Sequence, residues 1–192
     1  MLKLEIGPHA SGRTPDGEPR QSWHTLDSSY SATYNCKWGE KPLPIEDATY
    51  DWVHASHVLE HIPWWQTLNS IVEVYRILKA DGRFTVWVPD AMKIIELAER
   101  AEGYFLDLEK DWPCGGLNPD KDPWIYMNAR VFWGARPGEL GQEQHFHRAM
   151  FGANSLRTIM IKAGFRNVCE IQRDQDVDSG HGWMEVGMEG YR

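Results

Sequence analysis

The stretch LPIEDATYDWVHASHVLEHIPWWQTLNSIVEVYRILKADGRFTVWVPD, residues 43–90, decides the fold of this chain. After an acidic turn, residues 50–55 carry the apolar and β-forming side chains of a buried parallel strand. Apolar residues then recur at helical spacing, namely Leu68, Ile71, Val72, Tyr75 and Leu78. Asp81-Gly82 predicts the end of that helix, and residues 84–88 predict the next strand. The stretch therefore reads as one strand–helix–strand unit.

The two strands of this unit are each followed by polar residues. In a βαβ crossover the carboxyl ends of both strands open onto one crevice, which is where α/β folds bind their ligands. Ser56 and His57 follow the first strand, and Asp90 follows the second. We expect these three side chains to face a common site.

These motifs carry a family resemblance. The acidic turn, "YD" opening a strand, "ASHVLEHI", "EVYRILKADGR" and a strand ending "VPD" together resemble the middle of class I S-adenosylmethionine-dependent methyltransferases, in particular the small type 11-like group of predicted sugar or glycan methyltransferases. Residues 2–7 resemble the first strand and glycine turn of that family, and residues 23–27 its second strand with a terminal acid. Residues 145–165, with HFHR and AGF, resemble the last helix and its turn. Only residues 103–143, roughly, lie outside the resemblance.

The resemblance implies a three-layer, Rossmann-like α/β fold whose mostly parallel seven-strand sheet has an antiparallel last strand. Composition agrees with a single domain over residues 1–192, because a chain that is 42% hydrophobic and 25% charged can bury one substantial core. The remaining strands are expected at about 2–6, 23–27, 33–38, 166–172 and 182–188, with helices at 91–101 and 154–163. Residues 8–22 lack helical periodicity, although the family places its first crossover helix there.

Composition also excludes several classes of protein. There is no apolar run of the ~20 residues that a membrane span needs, and no signal-peptide pattern, so a cytoplasmic protein is expected. Cys36, Cys114 and Cys169 are odd in number and lack metal-binding spacing, which predicts reduced thiols. A net charge of -8 argues against binding along a nucleic acid backbone.

The resemblance implies S-adenosyl-L-methionine as cofactor, with S-adenosyl-L-homocysteine as product. Gly7 ends the first strand, where backbone amides can approach the amino-acid end of the cofactor, and Glu5 and Pro8 belong to the same turn. The sequence GPHASG departs here from the three closely spaced glycines of many relatives. A plain strand-ending turn is the alternative interpretation.

Two acidic residues are assigned to the rest of the cofactor. Asp27, at the end of the second strand, could accept hydrogen bonds from both ribose hydroxyls, although an aspartate can also simply cap a turn. Asp47 stands where relatives contact the adenine amino group, with Ile45 against the ring, and a solvated acidic turn is the alternative. Ser56 and His57 are expected to complete the cofactor side.

The segment from His57 to His61 also matches H-x-x-E-H, the signature of an inverted zinc peptidase helix. Pro63 disfavours that interpretation, because proline is tolerated only in the first turn of a helix and the main helix should therefore begin after the motif. In the methyltransferase interpretation His57 lines the methyl-transfer pocket, while Glu60 and His61 hold the junction. A purely structural His57 is the alternative.

His145 and His147 flank Phe146 before the last helix. A histidine can take the proton of an acceptor hydroxyl during methyl transfer, which predicts a catalytic set of His147, His57 and Asp90. The alternative is a histidine that locks a loop to a backbone carbonyl. The two histidines could also bind a metal with Asp90, but these residues alone do not establish a site, and no metal is assigned.

The predicted function is methyl transfer to an oxygen of a sugar or glycan, a reaction in which alignment matters more than reactive groups. The alternatives are a small-molecule N- or O-methyltransferase and a non-catalytic binding module of the same fold. Residues 103–143 predict a lid or small subdomain that presents aromatic residues to the acceptor, Trp112, Trp124, Tyr126 or Trp133. Clustered aromatic residues also fit a homodimer interface.

Overall fold

The structure, a computed structural model, describes residues 1–8, 14–28, 31–100, 122–132, 146–172 and 184–192, apart from the side chains of residues 97, 98 and 100. The strands are β1 (Lys3–Ile6), β2 (His24–Asp27), β3 (Tyr34–Asn35), β4 (Tyr50–Ser56), β5 (Leu78–Pro89), β6 (Arg166–Ile171) and β7 (Glu185–Tyr191). The α-helices are α1 (Thr67–Ile77), α2 (Ala91–Arg100), α3 (Pro123–Val131) and α4 (Ala153–Lys162). Two short 3-10 turns cover Arg20–Ser22 and Leu59–His61.

The seven strands form one sheet in the order β3-β2-β1-β4-β5-β7-β6. Strands β1 to β5 pair in parallel, whereas β7 is antiparallel to both β5 and β6. The expected sheet is therefore confirmed. Because β7 runs the other way, its first residue, Glu185, pairs with Pro89 at the end of β5. The start of β7 thus joins the carboxyl ends of the parallel strands, which we call the carboxyl edge.

Helix α1 covers one face of the sheet, but with a different side than its apolar pattern predicts. Its buried residues are Thr67, Ser70, Ile71, Val74 and Ile77. Leu68 and Val72 are instead 37% and 41% exposed. Small polar side chains are buried because the helix lies close to the preceding loop, where the Trp38 indole N–H donates to the Ser70 carbonyl oxygen at 3.0 Å. The predicted helix is therefore present, but only part of its apolar pattern is buried.

The end of α1 also differs from the prediction. The helix ends at Ile77, and β5 begins at Leu78, well before the strand expected at 84–88. The positive φ of the turn, 60°, falls on Asp81 and not on Gly82. Gly82 is needed for a different reason, because a Cβ there would lie 2.8 Å from the Lys79 carbonyl oxygen.

The described residues between β1 and β2 contain the 3-10 turn Arg20–Ser22 and no α-helix. This agrees with the missing periodicity of residues 8–22. Polar and aromatic side chains cover that part of the sheet, with the rings of Trp23 and Trp52 4.8 Å apart.

Helix α3 is the described part of the insertion at 103–143. The side chain of Asp122 caps it by accepting the Trp124 backbone N–H at 2.8 Å. It packs near α2 in a small second core formed by Ile94, Val131 and Met184. In the described part of the chain, no helix combines the length and the apolar composition that crossing a membrane requires.

Candidate active site

The carboxyl edge begins at Gly7, directly after β1. Its backbone N–H donates to the Leu26 carbonyl oxygen at 2.9 Å, and its φ is 68°. A Cβ at this position would lie 2.2 Å from Cγ2 of Val58, so glycine is required both by conformation and by close approach. The role of Gly7 and the adjacent Pro8 in holding the cofactor stays a prediction.

Glu5 is buried within β1, only 4% exposed, and forms a close ion pair with Arg20. This pair attaches the irregular segment after β1 to the strand itself. Asp27 ends β2, and its backbone carbonyl accepts the Cys36 N–H at 3.1 Å. Asp27 therefore lies one strand away from Gly7 on the carboxyl edge, the place that ribose binding requires; that role is not tested and stays a prediction.

Asp47 and Ile45 lie elsewhere. Ile45 is buried in the main core, and Asp47 is exposed, its carboxylate 2.7 Å from the Arg76 guanidinium. Both precede β4, whose seven residues span roughly 20 Å between the two edges of the sheet. They therefore lie at the amino edge, opposite the ends of β1 and β2, and their contact with adenine stays a prediction that this position does not favour.

Ser56 ends β4, and His57 follows it in a left-handed conformation with a φ of 54°. Both ring nitrogens of His57 face carboxylates, with Nδ1 3.2 Å from Oε1 of Glu60 and Nε2 2.9 Å from Oε2 of Glu185. Burial alone would disfavour the charged ring, but the two carboxylates raise the pKa of His57 to about 9. A raised pKa favours the protonated ring at neutral pH, which argues against His57 as the proton acceptor, and its catalytic role stays a prediction.

Glu60 is the most enclosed acid of this edge, at 1% exposed. Although burial works to raise the pKa of its carboxyl, the neighbouring His57, His61 and His147 lower it overall. Neither carboxylate oxygen accepts a hydrogen bond from the described residues. The Glu60 backbone carbonyl accepts the N–H groups of Arg148 and Ala149, which fixes the segment after His147 beside the acid.

His61 and His147 lie next to Glu60, with their rings 5.0 Å apart. Each ring uses Nδ1 to donate to a backbone carbonyl, His61 to Phe146 at 3.3 Å and His147 to Val131 at 3.1 Å. Nε2 of His147 lies 4.0 Å from Oε1 of Glu60. Burial lowers the pKa of His147 to about 4, so its ring is neutral and Nε2 keeps a lone pair.

A cavity of about 10 Å³ lies against this group and is lined by Glu60, His147, Pro89 and Val131, among others. That volume holds about one water-sized atom. Of the two predicted histidines before the last helix, His147 therefore reaches the carboxyl edge, whereas His145 lies outside the described residues.

Asp90 has a structural task that the sequence did not predict. Its Oδ1 accepts the Met92 N–H at 3.1 Å and so caps α2, while its own N–H donates to the Met184 carbonyl oxygen at 2.8 Å. The Lys93 ammonium lies 3.6 Å from Oδ2. One oxygen of Asp90 is thus engaged in capping the helix, and its catalytic role stays a prediction.

The zinc peptidase interpretation of H-x-x-E-H does not hold. His57 precedes the turn Leu59–His61, which is a 3-10 turn and not an α-helix, so the two histidines do not share a helix face. Sequence reasoning missed Glu185, which lies 128 residues from its partner His57. No local pattern could have identified it, because the contact exists only through the pairing of β5 with β7.

The sequence model of a family described as "Methyltransferase domain" matches residues 20–86, which run from the first crossover to the middle of β5. No curated protein matches the chain significantly.

Solved structures resemble the chain over nearly its whole length. One is a Thermotoga maritima "SAM-dependent methyltransferase, possible histamine N-methyltransferase", 16% identical, with a TM-score of 0.52 over 99% of this chain and 81% of that one. Another is a methyltransferase from Mesorhizobium loti, 12% identical, with a TM-score of 0.55 over 100% and 90%. A third is the Burkholderia thailandensis 1,6-didemethyltoxoflavin-N1-methyltransferase with bound S-adenosylhomocysteine, 14% identical, with a TM-score of 0.52 over 100% and 70%.

At these identities the structures show a shared fold. The comparisons thus show a family match over about a third of the chain and a fold shared with S-adenosylmethionine-dependent methyltransferases.

Proposed function

We propose that this protein transfers the methyl group of S-adenosylmethionine to a hydroxyl oxygen of a sugar or glycan. The observation that carries the proposal is the family match over residues 20–86, because this segment supplies the end of β2, the whole of β4 and the polar junction after β4. In open α/β sheets, ligands bind outside the carboxyl ends of the strands. The matched segment therefore coincides with the expected place of the cofactor.

The cofactor would bind across the ends of β1, β2 and β4. The Gly7-Pro8 turn would hold its amino-acid end, Asp27 its ribose hydroxyls, and Ser56 the side facing β4. Glu5 would contribute indirectly, because its ion pair with Arg20 holds the segment after β1 in place. Asp47 and Ile45 are left out of this set because they lie at the amino edge.

The acceptor would enter on the side of the histidine cluster. His147 is a neutral imidazole whose Nδ1–H is held by Val131, so the lone pair on Nε2 is available to a hydroxyl proton as the methyl group is transferred, but a pKa of about 4 makes the ring a weak base. The paired rings of Trp64 and Trp65, 5.7 Å apart and 70% and 64% exposed, follow the same junction. Aromatic faces of this kind pack well against the C–H faces of a sugar. These features support a carbohydrate acceptor.

The insertion would cover that acceptor. Helix α3 lies beside the cluster, since Val131 binds His147, and it exposes Trp124 by 52%. Replacing Trp124 by alanine should raise the KM for the acceptor and leave cofactor affinity unchanged, with Ile161→Ala, an exposed change on α4, as the control. A shift from dimer to monomer in ultracentrifugation with an unchanged KM would instead make α3 part of a homodimer interface.

The test of the cofactor is calorimetry on the purified chain. S-adenosylmethionine or S-adenosylhomocysteine should bind in the micromolar range, about −7 to −8 kcal/mol. A chain that binds neither compound would contradict the methyltransferase assignment and leave a binding module of the same fold.

The test of the acceptor uses methyl-labelled S-adenosylmethionine with mono- and oligosaccharides and, in parallel, small aromatic amines. Label on a sugar hydroxyl, located by NMR, is the expected result. If the label is found only on amine nitrogens, the protein is an N-methyltransferase and the proposal of a hydroxyl acceptor is wrong. The N-methyltransferases among the similar structures make that comparison worthwhile.

A further inference from the structure

The cluster of Glu60, His61 and His147 contains three side chains of metal-binding type. One ligand atom of each lies within 4.8 Å of the ligand atoms of the other two. Around a tetrahedral ion bound at ~2.1 Å, ligand atoms are about 3.4 Å apart. Side-chain rotations that move the ligand atoms by about 1 Å would therefore bring all three within binding distance of one ion. The 4.0 Å between Nε2 of His147 and Oε1 of Glu60 is already near that value.

The two imidazoles are oriented as metal ligands usually are. A histidine that binds a metal through one ring nitrogen almost always donates the other N–H to a carbonyl or carboxylate, which fixes its tautomer and ring plane. Here Nδ1 of His61 donates to the Phe146 carbonyl and Nδ1 of His147 to the Val131 carbonyl. A carbonyl oxygen can only accept, so both lone pairs are left on Nε2.

The carboxylate supplies the second, independent observation. Glu60 is 99% shielded from solvent, and neither of its oxygens accepts a hydrogen bond from the described residues, even though Nδ1 of His57 lies within ion-pair distance. A buried carboxylate with an ion pair to one ring and no well-aligned hydrogen bond to either oxygen is incompletely compensated, so a further ligand would stabilise it. The adjoining cavity of about 10 Å³, lined by both Glu60 and His147, has room for about one atom.

We propose that Glu60, His61 and His147 bind one divalent first-row transition metal ion, with Zn²⁺ as the simplest candidate. Two imidazole nitrogens and one carboxylate leave open coordination positions, as in catalytic zinc sites and in iron sites of the two-histidine, one-carboxylate type. Mg²⁺ and Ca²⁺ prefer all-oxygen ligand sets and fit less well. The proposed carboxylate ligand is Glu60, whereas the sequence assigned no metal and pointed only to His145, His147 and Asp90 as a possible set.

Such an ion would face the side on which we place the acceptor. A metal with an open coordination position lowers the pKa of a bound hydroxyl. The acceptor hydroxyl could then lose its proton even though Nε2 of His147 is occupied as a metal ligand. This use of the metal depends on the proposed function, but the existence of the site does not. Nε2 of His147 cannot bind the metal and take a proton at once, so metal binding also decides between these two tasks.

The test starts from the 192-residue chain after treatment with a chelator and under reducing conditions. Calorimetry with Zn²⁺ should show one ion bound at submicromolar Kd, and Zn²⁺ should raise the Tm of the wild type. His61→Gln, His147→Gln and Glu60→Gln should each weaken Zn²⁺ binding by about 100-fold or more, because loss of a ligand should exceed the 10–100-fold cost of losing a second-shell partner. His24→Gln is the matched control, since Nδ1 of His24 lies 2.8 Å from the Tyr50 hydroxyl, away from the cluster.

Co²⁺ serves as an optical probe of the same site. Its d–d bands should appear in the wild type and disappear in His61→Gln and His147→Gln, without the charge-transfer band that a cysteine ligand would add. Circular dichroism identifies the variants that fold, and only those are compared. Three results would overturn the proposal. The wild type could bind neither ion more tightly than about 100 µM, the Co²⁺ spectrum could show the cysteine charge-transfer band, or the folded cluster variants could bind the ion as strongly as the wild type. Calorimetry of S-adenosylmethionine on the metal-free chain tests the proposed function separately.

Discussion

The two edges of the sheet both carry charged side chains, but in opposite surroundings. At the amino edge, Arg76 bonds Glu73 at 2.9 Å and Asp47 at 2.7 Å, and the Asp47 side chain is 74% exposed. At the carboxyl edge, Glu60 and Glu185 are 1% and 5% exposed and hold His57 between them. Equally polar stretches of sequence thus produce a solvated ion-pair network at one edge and a buried ionisable cluster at the other.

The difference favours the carboxyl edge as the candidate site. A solvated ion pair contributes about 0–1 kcal/mol and needs no special explanation. Burying charges costs more than well-packed apolar residues would, so a buried group of acids and histidines is a poor way to gain stability. Such groups concentrate at functional sites, and this one lies where the parallel strands end. Four substitutions test the contrast.

His147→Ala should have the largest effect. Loss of the group that takes the proton or holds the metal should lower turnover about 10²–10⁴-fold, while affinity for S-adenosylmethionine stays within about tenfold. Steady-state methylation assays and calorimetry measure the two quantities. A variant with wild-type turnover would leave His147 with only its loop contact to Val131.

Glu185→Leu should be the most destabilising of the four. It removes one partner of a buried ion pair and leaves the His57 imidazolium with only Glu60, which typically costs about 3–5 kcal/mol. Denaturant unfolding followed by circular dichroism measures the loss in free energy of unfolding. A loss below about 1 kcal/mol would make the carboxyl edge energetically equivalent to the amino edge.

Asp27→Ala should weaken cofactor binding by roughly 1.5–3 kcal/mol, the cost of losing charge-assisted hydrogen bonds to the ribose. Calorimetry with S-adenosylhomocysteine measures it. Asp27→Asn is the matched control for shape, because it retains the side-chain size and one carbonyl acceptor and should lose less. Equal affinity in all three proteins would remove Asp27 from the site.

Asp47→Ala should have the smallest effect, since its carboxylate is exposed and paired only at the amino edge. We expect under about 1 kcal/mol in stability and no change in cofactor affinity. The same two assays apply. A clear loss of S-adenosylmethionine affinity would restore the contact with adenine and show that the amino-edge position is misleading.

The sequence by itself determined the order and type of the elements. Apolar runs and helical spacing located β1, β2, β4, α1, α2 and α4 within a few residues, and the resemblance implied the antiparallel β7, but the sequence did not predict α3. It also identified Gly7, Asp27, Ser56 and His147 at strand or loop ends that reach the carboxyl edge. These features are predictable because each depends on a short run of the chain, in which periodicity and turn residues are visible directly.

Only the tertiary structure decided which polar residues meet. Glu185 reaches His57 through the β5–β7 pairing, His61 and His147 come together 86 residues apart in sequence, and Asp47 is turned away to Arg76. The buried side of α1 also follows from packing against the Trp38 loop and not from its apolar pattern. Burial lowers the pKa of both His57 and His147, but the two carboxylates beside His57 outweigh it and raise the pKa of that ring, whereas burial prevails at His147. Distances and desolvation of this kind exist only once distant strands have paired.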